Sequence, residues 1–306
     1  MEEIEDMEEM VLPAPLRAGD RVAIVSPASK IDPALIDSAA ARLDAEGLVP
    51  VVMPHAKGVC GSFSGTPQER MADMRAALED PGIKAILCSR GGYGAVHLLP
   101  ELDRLPRELF GKWLVGFSDI TALHALWKRK GVASLHAAMA KHLAMGDAFP
   151  SFRRELGILG GQDGSCVWAE HPFNRPGVAE GVVCGGNMAV LGGLWSTPYF
   201  PMEEGSILMI EDIGEPIYKV ERMLWQLRLS CLLDRLGGII VGQFTEYRPS
   251  ADWQTMEDMI SRNLDGCGVP VCFGAPFGHI DDNRPLILGR RATLSVQSGG
   301  VSLRYV

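Results

Sequence analysis

Between Arg21 and Lys130 short apolar runs alternate with longer amphipathic stretches, and few folds accommodate that rhythm. "RVAIV", "LVPVVM", "IKAILCS" and "KWLVGF" are too short for helices and too apolar for exposed loops. Between them lie "DPALIDSAAARLDAEG", which has Pro33 near its start and Gly47 past its end, and "TPQERMADMRAALEDPG", opened by Thr66-Pro67. Another helix is expected from Ile120 to Lys130. Strands that alternate with helices of this length predict a parallel sheet covered on both faces. Loops at the carboxyl ends of such strands are where binding sites collect.

After about residue 145 the texture changes. "GGQDGS", "HPFNRPG" and "CGGNMAVLGGLW" are rich in Gly and Asn, and the apolar runs shorten. Residues 146–180 are expected to form a linker. The division is then an N-terminal α/β domain over 1–145, of Rossmann-like or flavodoxin-like parallel-sheet type, and a smaller β-rich domain over 181–306. The second domain contains one clear helix, "PIYKVERMLWQLRLS", with an apolar stripe at Val220, Leu224 and Leu227. A length of 306 residues fits about two domains, and 47% hydrophobic residues supply a substantial core.

Charge excludes some functions. With 29 Lys and Arg against 38 Asp and Glu, the formal charge is −9, which argues against sequence-independent binding of nucleic acid. The opening "MEEIEDMEEM" has no basic or apolar region of a secretory signal and is expected to be a solvated tail. No apolar run reaches the roughly 18 residues of a membrane span. Seven scattered cysteines without a C-x-x-C pair suit a reducing cytoplasm rather than a disulfide framework or zinc site. No metal or cofactor is expected.

Four stretches could carry chemistry. In "VGFSDITALH", Ser118 sits at an abrupt strand-to-helix turn. It either caps the helix or is a nucleophile on an elbow that lacks the second glycine of G-x-S-x-G. "SRGGYG" is a tight turn, a phosphate cradle, or one wall of an oxyanion hole whose other wall is the amide of Asp119. Arg90, in the same loop, either forms a surface ion pair or meets a substrate carboxylate. The strand "ILMI" ends in Glu211-Asp212, a carboxylate pair that is solvated, salt-bridged, or set to orient an imidazole. His279, in "FGHIDDN", is an exposed loop histidine or a general base. Of the other histidines, His97 is an alternative base near the glycines. His124 reads as surface or core filler, His136 and His142 lack a partner pattern, and His55 and His171 sit in polar surroundings and read as inert.

"GDRVAIVSPAS", "SRGGYG", "VGFSDITALH", "GGNMAVLGG", "IEDIGEPIYKVERML" and "FGHIDDN", in this order and at these spacings, resemble the LD-carboxypeptidase family of serine peptidases. The resemblance covers the chain from about residue 12. It implies a Ser118–Glu211–His279 triad, with Glu211 preferred to the nearby Glu215, and an oxyanion hole from the amides of Gly92 and Asp119. It also implies release of terminal D-alanine from murein tetrapeptides during cytoplasmic wall recycling, by a homodimer needing no metal. "LHAAMA" stands where the family often has His-Gly-Pro, a departure that bears on specificity. An immunity peptidase of the microcin C type, cleaving peptidyl- or aminoacyl-nucleotide amides, is the alternative on the same fold. There an aromatic such as Trp168 or Trp195 would stack on the base. A binding module for muropeptides or nucleotides, without chemistry, is the non-enzymatic alternative.

Overall fold

The computed structural model describes residues 10–146 and 150–306. The acidic opening, apart from Met10, lies outside the described residues. Thirteen strands are described. The first five are β1 (Arg21–Val25), β2 (Val49–Val52), β3 (Ile83–Cys88), β4 (Trp113–Gly116) and β5 (Ser134–His136). Next come β6 (Cys166–Trp168), β7 (Gly177–Asn187), β8 (Ile207–Ile213), β9 (Gly238–Thr245) and β10 (Val271–Cys272). The last three are β11 (Leu286–Leu288), β12 (Arg291–Gln297) and β13 (Gly300–Tyr305).

The first sheet has the order β11-β5-β4-β3-β1-β2. Its first five strands in sequence run parallel, in the flavodoxin-like spatial order 2-1-3-4-5, while β11 joins β5 antiparallel. The order reverses between β1 and β3, so the loops after these strands diverge and leave a crevice at their carboxyl ends. The helices begin where the sequence places them. Asp32 caps Pro33–Ala45 through the Ala34 amide at 2.9 Å. Thr66 and Glu69 close a capping box on Pro67–Glu79. Trp113 and Trp127 are buried between sheet and helices, and Phe110 meets Trp127 edge-on at 4.8 Å. Such a pair contributes about 0.5–1.5 kcal/mol beyond its buried area.

The second sheet has the order β10-β9-β8-β7-β12-β13-β6, with its first four strands parallel and the remainder antiparallel. The helix Ile217–Leu229 lays Ile217, Val220, Leu224 and Leu227 against it, the stripe expected from the sequence. Residues 150–180 are more ordered than a linker. They hold the helix Ser151–Leu159, the edge strand β6 and the start of β7. Strand β11 also returns to the first sheet from the far end of the chain, pairing Leu286 with His136.

The helix that follows Ser118 packs tightly against the second sheet. The Asn187 amide donates to Thr121 Oγ1 at 2.9 Å. A Cβ on Gly186 would fall 2.4 Å from that oxygen, so only glycine permits the approach. Thr121 opens the helix that follows Ser118, and Asn187 ends β7. The contact therefore fixes the helix that follows Ser118 against the second sheet. Among the described residues no helix is long and apolar enough to cross a membrane.

Candidate active site

Strand β4 ends at Gly116, where a Cβ would lie 3.0 Å from Ile120 and 3.2 Å from Cys88. Phe117 is extended, and Ser118 then takes φ 65°, a left-handed conformation that a non-glycine residue holds at a cost of about 1–3 kcal/mol. A short 3-10 turn, Ser118–Ile120, leads into the helix Thr121–Arg129. The helix-cap alternative for Ser118 is not what the backbone adopts. Ser118 lies inside the turn and makes no capping bond, and its hydroxyl faces His279. The strained turn lifts Oγ out of the chain, as in a nucleophile elbow, without needing the second glycine.

Ser118 Oγ lies 3.1 Å from His279 Nε2, and His279 Nδ1 lies 2.8 Å from Glu211 Oε2. A carboxylate only accepts, so the neutral ring carries its proton on Nδ1 and leaves the Nε2 lone pair for the serine hydroxyl. Glu211 is fully buried on β8, while the His279 side chain is 16% exposed and rests on the Phe117 ring at 4.9 Å. Gly278, at φ 121°, stands so close that a Cβ there would fall 2.8 Å from Glu211 Oε2. The Gly278 amide donates to Asn283 Oδ1 at 2.9 Å, which fixes the loop presenting the imidazole.

The neighbouring carboxylates have other partners. Asp212 accepts from Asn187 Nδ2 (2.8 Å), the Ala189 amide (2.9 Å) and the Ile213 amide (2.8 Å). Burial, reinforced by the charge of Glu211, pushes the Asp212 carboxyl up to about 6. Glu215 pairs with Lys219 at 3.4 Å.

The glycine loop after β3 abuts the serine. A Cβ on Gly91 would lie 2.9 Å from Ser118 Cβ and 3.1 Å from the Asp119 amide nitrogen. Gly92, at φ 101°, lines a cleft of about 360 Å³ together with Ser118, Asp119, Asn187 and Asp212. That size suits a small ligand. The Asp119 side chain turns inward and accepts from the Ala95 amide at 2.8 Å. Burial raises its carboxyl, while His97 and Arg70 oppose the rise.

Arg90 donates to the Lys30 carbonyl at 3.1 Å and is not among the described residues that line the cleft. Trp168 packs edge-on against Phe277 at 5.8 Å, and Trp195 is buried near Phe200. Neither tryptophan is among the lining residues. His55 pairs with Asp73 at 2.8 Å, and His171 stacks on Phe273. No group of three or more His, Cys, Asp or Glu side chains able to hold a metal occurs among the described residues.

Several contributors went unassigned in the sequence. Asn187 lies in "GGNMAVLGG", and its position after two glycines was a usable signal. Tyr93 closes the "SRGGYG" loop onto the cleft. Arg70, in the helix Pro67–Glu79, carried none, because its burial is a tertiary property.

Both halves of the chain match known family models. Residues 22–137 match the LD-carboxypeptidase N-terminal domain, and residues 180–294 match the LD-carboxypeptidase C-terminal domain. A Streptomyces coelicolor relative, named as a carboxypeptidase by inference, is 34% identical over 97% of both chains. The murein tetrapeptide carboxypeptidase of Pseudomonas aeruginosa is 31% identical over 90% of this chain and 92% of its own. Among solved structures, muramoyltetrapeptide carboxypeptidase from Oxalobacter formigenes superposes with a TM-score of 0.85 at 29% identity, over 93% of this chain and 98% of that one. The microcin C7 self-immunity protein bound to glutamyl sulfamoyl guanosine also reaches 0.85, at 23% identity over 96% and 98%, a likeness of fold alone. With both domain models matched in order and relatives aligned almost end to end, the chain belongs to the LD-carboxypeptidase family.

Proposed function

We propose that the protein is a serine carboxypeptidase that hydrolyses an L,D-peptide bond and releases terminal D-alanine from murein tetrapeptides. The observation that carries this reading is the pair of contacts on His279, 3.1 Å to Ser118 Oγ and 2.8 Å to Glu211 Oε2. In this reading residues 1–145 supply the nucleophile and the oxyanion loop. Residues 181–306 supply the acid and the base, and residues 146–180 join the two. The named murein carboxypeptidases among the relatives support the substrate class. Cytoplasmic recycling of wall fragments by a homodimer completes the reading.

Ser118 Oγ attacks the carbonyl carbon as its proton passes to His279 Nε2, and Glu211 offsets the charge that develops on the imidazolium. The amides of Gly92 and Asp119 receive the oxyanion; one such donor is worth on the order of 10²–10³ in rate. As the C–N bond breaks, Nε2 returns the proton to the amine of the departing D-alanine. Water then attacks the acyl-enzyme, giving one proton to His279 and from there to Ser118. Arg90, adjacent to the oxyanion loop, adds positive potential for the free carboxylate that a carboxypeptidase must recognise.

The test is incubation with a defined murein tetrapeptide, followed by mass spectrometry for loss of one alanine. Ser118→Ala should reduce release on the order of 10⁶-fold, and Glu211→Gln on the order of 10⁴-fold with the fold intact. An aminoacyl-sulfamoyl adenylate run in parallel separates the competing nucleotide-amide substrate. Faster turnover of that conjugate would transfer the assignment to the immunity peptidases.

A further inference from the structure

Arg70 is 1% exposed, and its guanidinium holds together the loops beneath the cleft. It donates to the carbonyls of Pro27 (2.6 Å), Gly94 (2.9 Å) and Gly65 (3.2 Å). Its Nη2 faces His97 Nδ1 at 3.1 Å. A guanidinium has donors and no acceptor, so Nδ1 must accept, and the neutral ring carries its proton on Nε2. That Nε2–H faces Tyr93 Oη at 3.3 Å. The phenolic oxygen is therefore an acceptor toward His97, and its own proton points elsewhere. An edge contact with His97 (5.2 Å) and a tilted one with Phe63 (5.9 Å) hold the Tyr93 ring, while 57% of the residue stays exposed along the cleft.

Two other lining side chains carry donors, with partners for all but the second Asn187 Nδ2–H. Ser118 Oγ faces His279, and Asn187 Nδ2 donates to Asp212. No Lys, Arg or His is among the described lining residues, whose ionisable carboxyls are Asp119, Asp212 and Glu215. A carboxylate against this lining meets no cationic side chain, Arg90 acting only from outside it, and Tyr93 presents an exposed hydroxyl there. Tyr93 also directly follows Gly92, next to the oxyanion in the peptidase reading. The carboxylate of the departing D-alanine is the acceptor nearest that point along the substrate.

We propose that Tyr93 O–H hydrogen-bonds the terminal carboxylate of the residue to be released, its direction set by the Arg70–His97 relay. This inference rests on the peptidase reading. Tyr93 is a specificity residue that touches substrate, and His97 and Arg70 are positioning residues that act through it.

The experiment compares a murein tetrapeptide with its C-terminal amide. Affinity for each is measured by calorimetry on Ser118→Ala, with and without Tyr93→Phe. The expected result is a loss of roughly ten- to a hundredfold for the free acid and no change for the amide, as for a hydrogen bond to a charged group. In the active enzyme, Tyr93→Phe should raise KM by a similar factor while kcat moves less than about twofold. His97→Leu should copy the effect in part. His97→Gln, which can accept from Arg70 and donate to Tyr93, should restore it. Equal losses on acid and amide, unchanged affinity for the acid, or no measurable binding of either peptide would overturn the assignment. Absence of alanine release by the wild type would overturn the peptidase reading instead, and the affinity ratio would still decide the role of Tyr93.

Discussion

His124 Nε2 lies 2.8 Å from the carbonyl oxygen of Gly116, and its Nδ1 lies 2.8 Å from Ser134 Oγ. A carbonyl only accepts, so Nε2 carries the proton and Nδ1 receives the serine hydroxyl. Burial pushes the imidazole down to about 4, which keeps the ring neutral at physiological pH. The helix after Ser118 is thereby tied back to the strand end at Gly116, two residues before the serine.

Replacing His124 by Phe keeps an aromatic ring but removes both hydrogen bonds. The Ala137 amide still reaches the Gly116 carbonyl at 3.1 Å, whereas Ser134 Oγ loses its partner. A stability loss of about 1–3 kcal/mol is expected by denaturant titration. Because the elbow loosens, kcat should fall while KM holds. Normal kcat in a destabilised variant would mean that the turn keeps its shape without the histidine.

Gly91→Ala tests the packing of the glycine loop against Ser118 directly. The added Cβ meets Ser118 Cβ at 2.9 Å, Ser118 Oγ at 3.0 Å and the Asp119 amide nitrogen at 3.1 Å, so one of the two segments must shift. Displacements near 1 Å at a reacting centre cost on the order of 10²-fold, and kcat should drop by at least that much. Gly268→Ala, with nothing within 4 Å of its new Cβ, is the control and should leave turnover unchanged. Comparable rates for the two variants would contradict the close approach.

Local pattern made the first sheet legible, and long-range geometry hid the remainder. Arg21–Val25 and the helix Pro33–Ala45 follow from apolar runs and caps beside them in sequence. The φ of Ser118 does not, because a serine after an apolar run fits both a cap and an elbow until the backbone is seen. His124 read as filler because its partners, Gly116 and Ser134, are defined by tertiary packing. Strand β11 could not be placed on the first sheet from its three residues, whose pairing partner lies about 150 positions earlier. Gly-rich composition suggested a linker where β6 and the helix Ser151–Leu159 are formed, because a short edge strand leaves a weak periodic signal.

Glu155 sits in the helix Ser151–Leu159 at 1% exposure, among Leu16, Leu43 and Phe152. It accepts from the Ala138 amide, and its Oε2 has no partner among the described residues. Burial raises its carboxyl well above 4.5, so the folded chain keeps a proton that the unfolded chain releases. Its contribution is complete below about 4.5 and is lost as pH rises toward the folded value. Glu155→Gln removes this titration. Melting temperatures at pH 5 and pH 8 should show the variant gaining on the wild type at the higher pH; a constant difference would mean that Glu155 is ionised in the fold.

His136 has the opposite sign. It is fully buried on β5, neither ring nitrogen bonds another described residue, and Phe117 lies 5.6 Å away. Burial, with help from the nearby His124 and His279, pushes the imidazole down to about 3 from an ordinary 6.5. The unfolded chain takes up a proton below about 6.5 that the folded chain refuses, so stability is present above that pH and drains away as pH falls toward 3. His136→Leu removes both the titration and the two unsatisfied nitrogens. The variant should melt above the wild type, with a wider margin at pH 5 than at pH 8. Part of the acid slope should survive, since His124 and His142 are also held neutral by burial, down to about 4 and about 3. A margin that narrowed on acidification would require His136 to be protonated in the folded protein, adding a charge close to the His279 imidazole.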